Sequence, residues 1–89
     1  MNITFDPAKD AANRAKHGVS LALARELEWE NAHILEDDRR DYKETRMIAF
    51  VMMDVRLYVA VFTVRDGMRR MISLRKANDR EVRTYVSQR

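Results

Sequence analysis

Cysteine is absent from this chain of 89 residues, which excludes disulfides and thiolate metal sites and permits a reducing compartment. Histidine is nearly as scarce: His17 and His33 stand well apart, and no acidic residues recur with them at ligand spacing, so neither a metal nor another cofactor is expected. Long apolar runs are missing too. The longest, residues 47–53, is far short of the roughly 20 residues that span a bilayer, and no basic stretch followed by an apolar core opens the chain. These features predict a cytoplasmic protein, neither exported nor inserted in a membrane. With one proline and two glycines there are few breakers, and no repeat, linker or low-complexity segment interrupts the chain.

What is present is a composition typical of ordered globular proteins, 46% hydrophobic and 35% charged. The length predicts a single domain over residues 1–89 that buries a little over about 60% of its unfolded surface, so a partner covering apolar area would add stability. The net charge of +3 hides an asymmetry. Residues 1–45 carry 7 basic and 10 acidic side chains, whereas residues 46–89 carry 10 and 4, and nine of those ten cations are arginine. The guanidinium fork matches phosphate oxygens, so a polyanionic partner is one reading. A solvated surface that uses arginine is the other.

The periodicity predicts α+β architecture. Residues 2–5 alternate as a short strand, and Asp6-Pro7 supplies an N-cap acid and a first-turn proline for a helix over residues 7–16. His17-Gly18 stops it, and Ser20 caps a second helix to about residue 30 that buries Leu21, Ala24, Leu27 and Trp29. Four strands follow near residues 34–37, 44–53, 57–65 and 68–76, with reversals at Asp54-Val55 and Asp66-Gly67. Asn78 and Glu81 form a capping box for a last helix over residues 79–88.

A two-residue turn at Asp66-Gly67 sets Arg65 opposite Met68, Thr63 opposite Arg70, Val61 opposite Ile72 and Tyr58 opposite Arg75. Val59, Val61, Ile72 and Leu74 then share one face; Tyr58, Ala60, Phe62, Met71, Ser73 and Arg75 share the other. The helices can cover one of these faces. The second is left for the C-terminal helix, a protein partner or a polyanion. A like turn at Asp54-Val55 sets Arg46 beside Thr63, so that Arg46, Arg65 and Arg70 crowd one end of the sheet, with Asp37, Asp38, Asp41 and Glu44 at hand as ordinary salt-bridge partners.

Read in order, Phe5-Asp6, Asn13, Lys16-His17-Gly18-Val19-Ser20, Asp37-Asp38, Glu44 and Arg46, Thr63-Val64-Arg65, Arg70 through Ala77, and Glu81 with Tyr85 resemble the BrnT family, toxins of type II toxin-antitoxin pairs. Each motif is weak alone; their order and spacing cover nearly the whole chain. Two departures stand out: the family commonly has glycine where this chain has Asp54-Val55, and Glu-Arg where it has Glu81-Val82, which leaves Arg80 and Arg83 as substitutes.

The resemblance implies a RelE-like and ParE-like fold: a four-stranded antiparallel sheet with two N-terminal helices and a C-terminal helix. It implies an endoribonuclease that inhibits translation by cutting RNA without a metal. It also implies a BrnA-like antitoxin that carries the DNA-binding function, in a heterotetramer. Metal-free RNA cleavage needs a base for the 2′-hydroxyl, cations for the phosphorane and an acid for the 5′-oxygen. His17 is the candidate for proton transfer, since an unperturbed imidazole titrates near neutrality, although a position at a helix C-terminus suits a cation equally well. Arg65 and Arg75 are the candidates to hold the scissile phosphate, with Lys16 assisting. Arg46, Arg70, Lys76 and Tyr85 are candidate RNA contacts, and Tyr85 on an amphipathic helix is equally a core residue. The methionines supply flexible apolar contacts, for the core or for the antitoxin.

Two other classes compete. A non-catalytic binding module would use the same arginines and tolerate loss of His17, and a gyrase-poisoning toxin of the ParE kind would share the fold without cutting RNA.

Overall fold

The structure, a computed structural model, describes residues 1–38 and 43–88. Its elements run β1 (Asn2–Phe5), α1 (Pro7–His17), two short 3-10 turns (Leu21–Glu26 and Trp29–Asn31), β2 (His33–Asp37), β3 (Arg46–Met53), β4 (Arg56–Arg65), β5 (Met68–Lys76) and α2 (Asp79–Ser87). The predicted strands and outer helices are all present. The sheet, however, has five strands in the order β1-β5-β4-β3-β2 and not four, and it is mixed. β1 joins its edge parallel to β5, with Asn2 beside Met68 and Phe5 beside Met71, while the other pairings are antiparallel. A parallel partner distant in sequence leaves no turn signal, so the strand pattern alone does not place it.

α1 begins and ends as its sequence dictates. Asp6 Oδ1 accepts from Ala8 N at 2.8 Å, and Gly18, at φ 71°, returns its N–H to Arg14 O at 2.9 Å. The expected second α-helix is instead the pair of 3-10 turns. Leu21, Ala24 and Leu27 are all buried at a spacing of three, the period of a 3-10 helix, in which side chains three apart eclipse. Asp10 fixes its start by accepting from both Ser20 Oγ at 2.9 Å and Leu21 N at 2.7 Å.

α1 leaves β1 and runs beside the remainder of β5. There the Asn13 side chain substitutes for a neighbouring strand: Oδ1 accepts from Leu74 N at 3.0 Å, and Nδ2 donates to Leu74 O and Val19 O, both at 2.8 Å. Asn13 is buried, and its amide satisfies both backbone groups of Leu74 that a sheet edge would otherwise leave open.

The 3-10 turns cover one sheet face. The core joins Val19, Leu21, Ala24 and Leu27 to Ala49, Val51, Tyr58, Ala60, Phe62, Met71 and Leu74. Trp29 closes one end, edge-on to Phe62 with ring centroids 5.5 Å apart, and donates Nε1–H to Ala24 O. The Arg69 guanidinium lies over the Trp29 ring at 4.1 Å, where burial lowers its pKa and its Nε lacks a hydrogen-bond partner.

Met71 and Leu74 are three residues apart yet both fully buried on this face, which regular alternation forbids. A bulge in β5 explains it. Arg65 pairs with Met68 and Thr63 with Arg70 as expected, but Phe62 pairs with Met71 and Val61 with Ser73, so Ile72 is the extra residue. The expected pairs Val61 with Ile72 and Tyr58 with Arg75 are therefore wrong by one; Tyr58 lies opposite Lys76, and Arg75 opposite Val59. Leu74 moves to the covered face, and Ser73 and Arg75 to the open one. Re-aiming side chains near a site is a recurrent use of bulges.

Candidate active site

On the open face, Ile48, Phe50, Val59 and Val61 form an apolar floor. Ser73 and Arg75 from β5, Lys16 and His17 from the end of α1, and Glu81 from α2 rim it, enclosing a depression of about 360 Å³. Three of the four predicted catalytic residues thus converge: Lys16, His17 and Arg75. Their placement follows from local features already described. Asn13 ties α1 to β5, Gly18 ends α1 at His17, and the bulge turns Arg75 toward both.

Arg75 donates Nη1–H to Glu81 Oε1 and Nη2–H to Glu81 Oε2, both at 2.8 Å, a bidentate pair. Glu81 also completes the capping box, accepting from Asn78 N at 2.9 Å while Asn78 Oδ1 accepts from Glu81 N at 2.8 Å. The guanidinium first, and the Asn78 amide after it, hold the Glu81 carboxyl below its ordinary pKa against the opposing effect of burial. The arginine therefore both faces the depression and fastens α2 to β5. His17 is half-buried, and its pKa is lowered, first by burial and then by the charges of Lys16 and Arg75. Its imidazole is accordingly neutral at neutral pH, the form that accepts a proton.

Arg65 is not part of this cluster. It pairs with Glu44 at the other end of the open face, where Arg46, Thr63 and Arg70 also lie, as the register from the Asp54-Val55 reversal implies. Asp37, opposite Arg46 in the β2–β3 ladder, is buried. Asp41 lies outside the described residues. Tyr85, one turn beyond Glu81 on α2, is half-buried and lines a neighbouring depression with His33, Leu35 and Phe50. Lys76 is exposed, and its carbonyl accepts from Arg75 Nη1 at 3.3 Å.

Ser73, Glu81 and Asn13 were not singled out for the site by sequence. All three belong to the family-like motifs; a lone serine between Ile72 and Leu74 inside β5, and the capping box, are the available signals. Among the described residues no group of His, Asp or Glu has the proximity to hold a metal ion, and no helix is long and apolar enough to cross a membrane.

These observations define a class: a small α+β protein with a mixed five-stranded sheet, apolar-covered on one side and presenting basic side chains around a histidine on the other. Residues 5–81 match the family described as the ribonuclease toxin BrnT of type II toxin-antitoxin systems, and the chain belongs to that family. Among solved structures it is similar to the Brucella abortus ribonuclease toxin BrnT, with a TM-score of 0.67 and 25% identity over 89% of this chain and 99% of that one. A search of curated proteins returns no match. Membership in a type II family implies an antitoxin partner.

Proposed function

We propose that this chain, as one BrnT-like domain with a RelE-like fold over residues 1–89, is a metal-independent endoribonuclease that inhibits translation. A BrnA-like antitoxin neutralises it in a cytoplasmic heterotetramer and supplies any DNA binding. The observation that carries the reading is the convergence of Lys16, His17, Ser73 and Arg75 on one depression of the open face. Neutral His17 takes the proton of the 2′-hydroxyl, the 2′-oxygen attacks phosphorus, and the bond to the 5′-oxygen breaks. The Lys16 ammonium returns a proton to that oxygen. Arg75 and Lys16 offset the negative charge of the phosphorane, the largest contribution such a site makes. The products are a 2′,3′-cyclic phosphate and a 5′-hydroxyl end.

The test is cleavage of purified total RNA in excess EDTA. Wild type is expected to cut it; His17→Gln should lose about 10²–10⁴-fold in rate, as for removal of a general base. The rate of wild type should fall on acidification through a pKa below the ordinary histidine value, because protonated His17 is not a base. In a residually active Arg75→Gln variant that limb should move upward, since one of the charges that lowers the His17 pKa is gone. One observation favours a second reading: the Arg75 fork is already engaged by Glu81, as in a purely structural clamp. A binding module built on that clamp would be indifferent to His17→Gln.

A further inference from the structure

A second basic depression adjoins the first, and its shape and charge do not require the chemistry of His17. Lys9 from α1, Lys43 and Glu44, Arg46 from β3, Arg65 from β4 and Arg70 from β5 line it, five cations with one carboxylate among the described residues. The two depressions are joined. A third, shallower hollow runs along α1 and shares Lys9 and Ile72 with the basic depression and Lys16, His17 and Ser73 with the other. Lys9, Asn13 and Lys16 fall on one stripe of α1, at spacings of four and three.

The position of Lys9 is informative. It lies in the first turn of α1, where the helix dipole disfavours a cation, and it is exposed, so neither the dipole nor packing favours it there. Glu44 meets Arg65 and Asp37 lies opposite Arg46 in the β2–β3 ladder, so the depression stays cationic in total through Lys9, Lys43 and Arg70. Like charges drawn together from four parts of the chain raise the energy of the free protein and lower it once a polyanion lies among them. Arg70 lies opposite Thr63 and Arg75 opposite Val59, four steps along β4 once the bulge is allowed for, or about 14 Å at ~3.4 Å per residue, more than one nucleotide of a single strand.

We infer that the Lys9–Arg46–Arg65–Arg70 depression is a phosphate subsite that binds single-stranded RNA more than one nucleotide away from the phosphate cut beside His17 and Arg75, with the strand running along α1. The inference rests on the proposed ribonuclease reading for its register, but its binding half is separable from cleavage. An acidic protein segment is the competing occupant; continuity with the His17 depression favours RNA.

The experiment measures binding of 2′-O-methyl oligonucleotides of three and nine nucleotides, which cannot be cleaved, and cleavage of RNA of the same lengths. Wild type, Lys9→Ala and Arg70→Gln are compared. Wild type should bind the nine-mer at least tenfold more tightly. Each variant should lose at least threefold more affinity for the nine-mer than for the trimer, and lower the salt slope for the nine-mer by about 0.7. Cleavage efficiency should show the same length-dependent loss, through KM more than kcat. Equal losses at both lengths, or none, overturn the subsite. A length-dependent loss of binding with no cleavage of either RNA by wild type keeps the subsite and overturns the ribonuclease reading. Displacement of the nine-mer by polyglutamate at lower concentration than by unlabelled nine-mer, abolished by Lys9→Ala, assigns the depression to an acidic partner and overturns RNA as its occupant.

Discussion

The two faces of this sheet treat the same residue type in opposite ways, and adjacent Arg69 and Arg70 show it. Arg69 lies over Trp29 and beside Phe62, its charge partly desolvated, covering the end of the core. Its gain is the cation–π contact, worth about 0.5–2 kcal/mol, and the apolar area its stem excludes from water. Arg70, one residue on, lines the basic depression of the open face. A count of nine arginines in the second half of the chain therefore overstates the polyanion-facing charge, because strand alternation sends alternate residues to different solvents. What separates the faces is burial: Leu21, Ala24, Ala49, Val51, Ala60, Met71 and Leu74 are inaccessible on one, while on the other Ile48, Phe50 and Val61 are only partly buried and, with the buried Val59, form the floor of an open depression.

If the covered face serves folding and the open face serves binding, a core variant should lower stability and spare chemistry. Leu74→Ala leaves a cavity where a fully buried side chain stood, and should cost about 3–5 kcal/mol of unfolding free energy. Chemical denaturation should show that loss, while kcat/KM per folded molecule at low temperature stays within about threefold of wild type. A large fall in kcat/KM would show that the faces are not independent.

Asn13 is the residue expected to break the separation. It sits at the edge between the faces and its amide makes three hydrogen bonds, two to Leu74 and one to Val19. Asn13→Ala strands those backbone groups, and a buried unsatisfied group costs about 1–3 kcal/mol, so a net loss of about 2–3 kcal/mol is expected after partial relaxation. Because the same bonds hold the end of α1 against β5, cleavage should fall as well, about tenfold, with the acid limb of the pH profile moving up as His17 becomes more hydrated. Loss of stability with an unchanged pH profile would make Asn13 an edge cap and nothing more.

Much of this was legible in the chain itself, for identifiable reasons. The Asp66-Gly67 reversal, both residues at positive φ, pins the near half of the hairpin, and Arg65 with Met68 and Thr63 with Arg70 follow directly. The capping box and the α1 caps are local motifs and appear where the sequence puts them. The bulge was not legible, since nothing in Met71-Ile72-Ser73 marks one extra residue, and every face assignment beyond it inverts. That inversion moves Arg75 from the face of Met71, where strict alternation puts it, to the depression that His17 lines. The 3-10 turns were legible in principle, because Leu21, Ala24 and Leu27 recur at three and not at 3.6. The parallel pairing of β1 and the Asn13 bridge join residues some sixty apart or more, and no local pattern carries such a contact.

The smallest expected effect lies at the other reversal, whose residues line neither depression. Asp54 occupies the first central position of a two-residue turn at φ 54°, while Val55 is not at positive φ, an arrangement whose first central residue is ordinarily glycine. Aspartate tolerates the left-handed region better than most residues but still pays a steric cost that glycine avoids. Glycine in turn loses more freedom on folding, which offsets part of the gain. The Asp54 backbone N–H donates to Glu28 Oε2 at 3.0 Å, a bond that survives replacement of the side chain. Asp54→Gly should therefore stabilise the fold by about 0.5–1 kcal/mol, or about 4–8 °C in Tm per kcal/mol for a domain of this size, and leave RNA cleavage unchanged. A neutral or destabilising result would mean that the Asp54 side chain makes a contribution to the turn that outweighs its backbone strain.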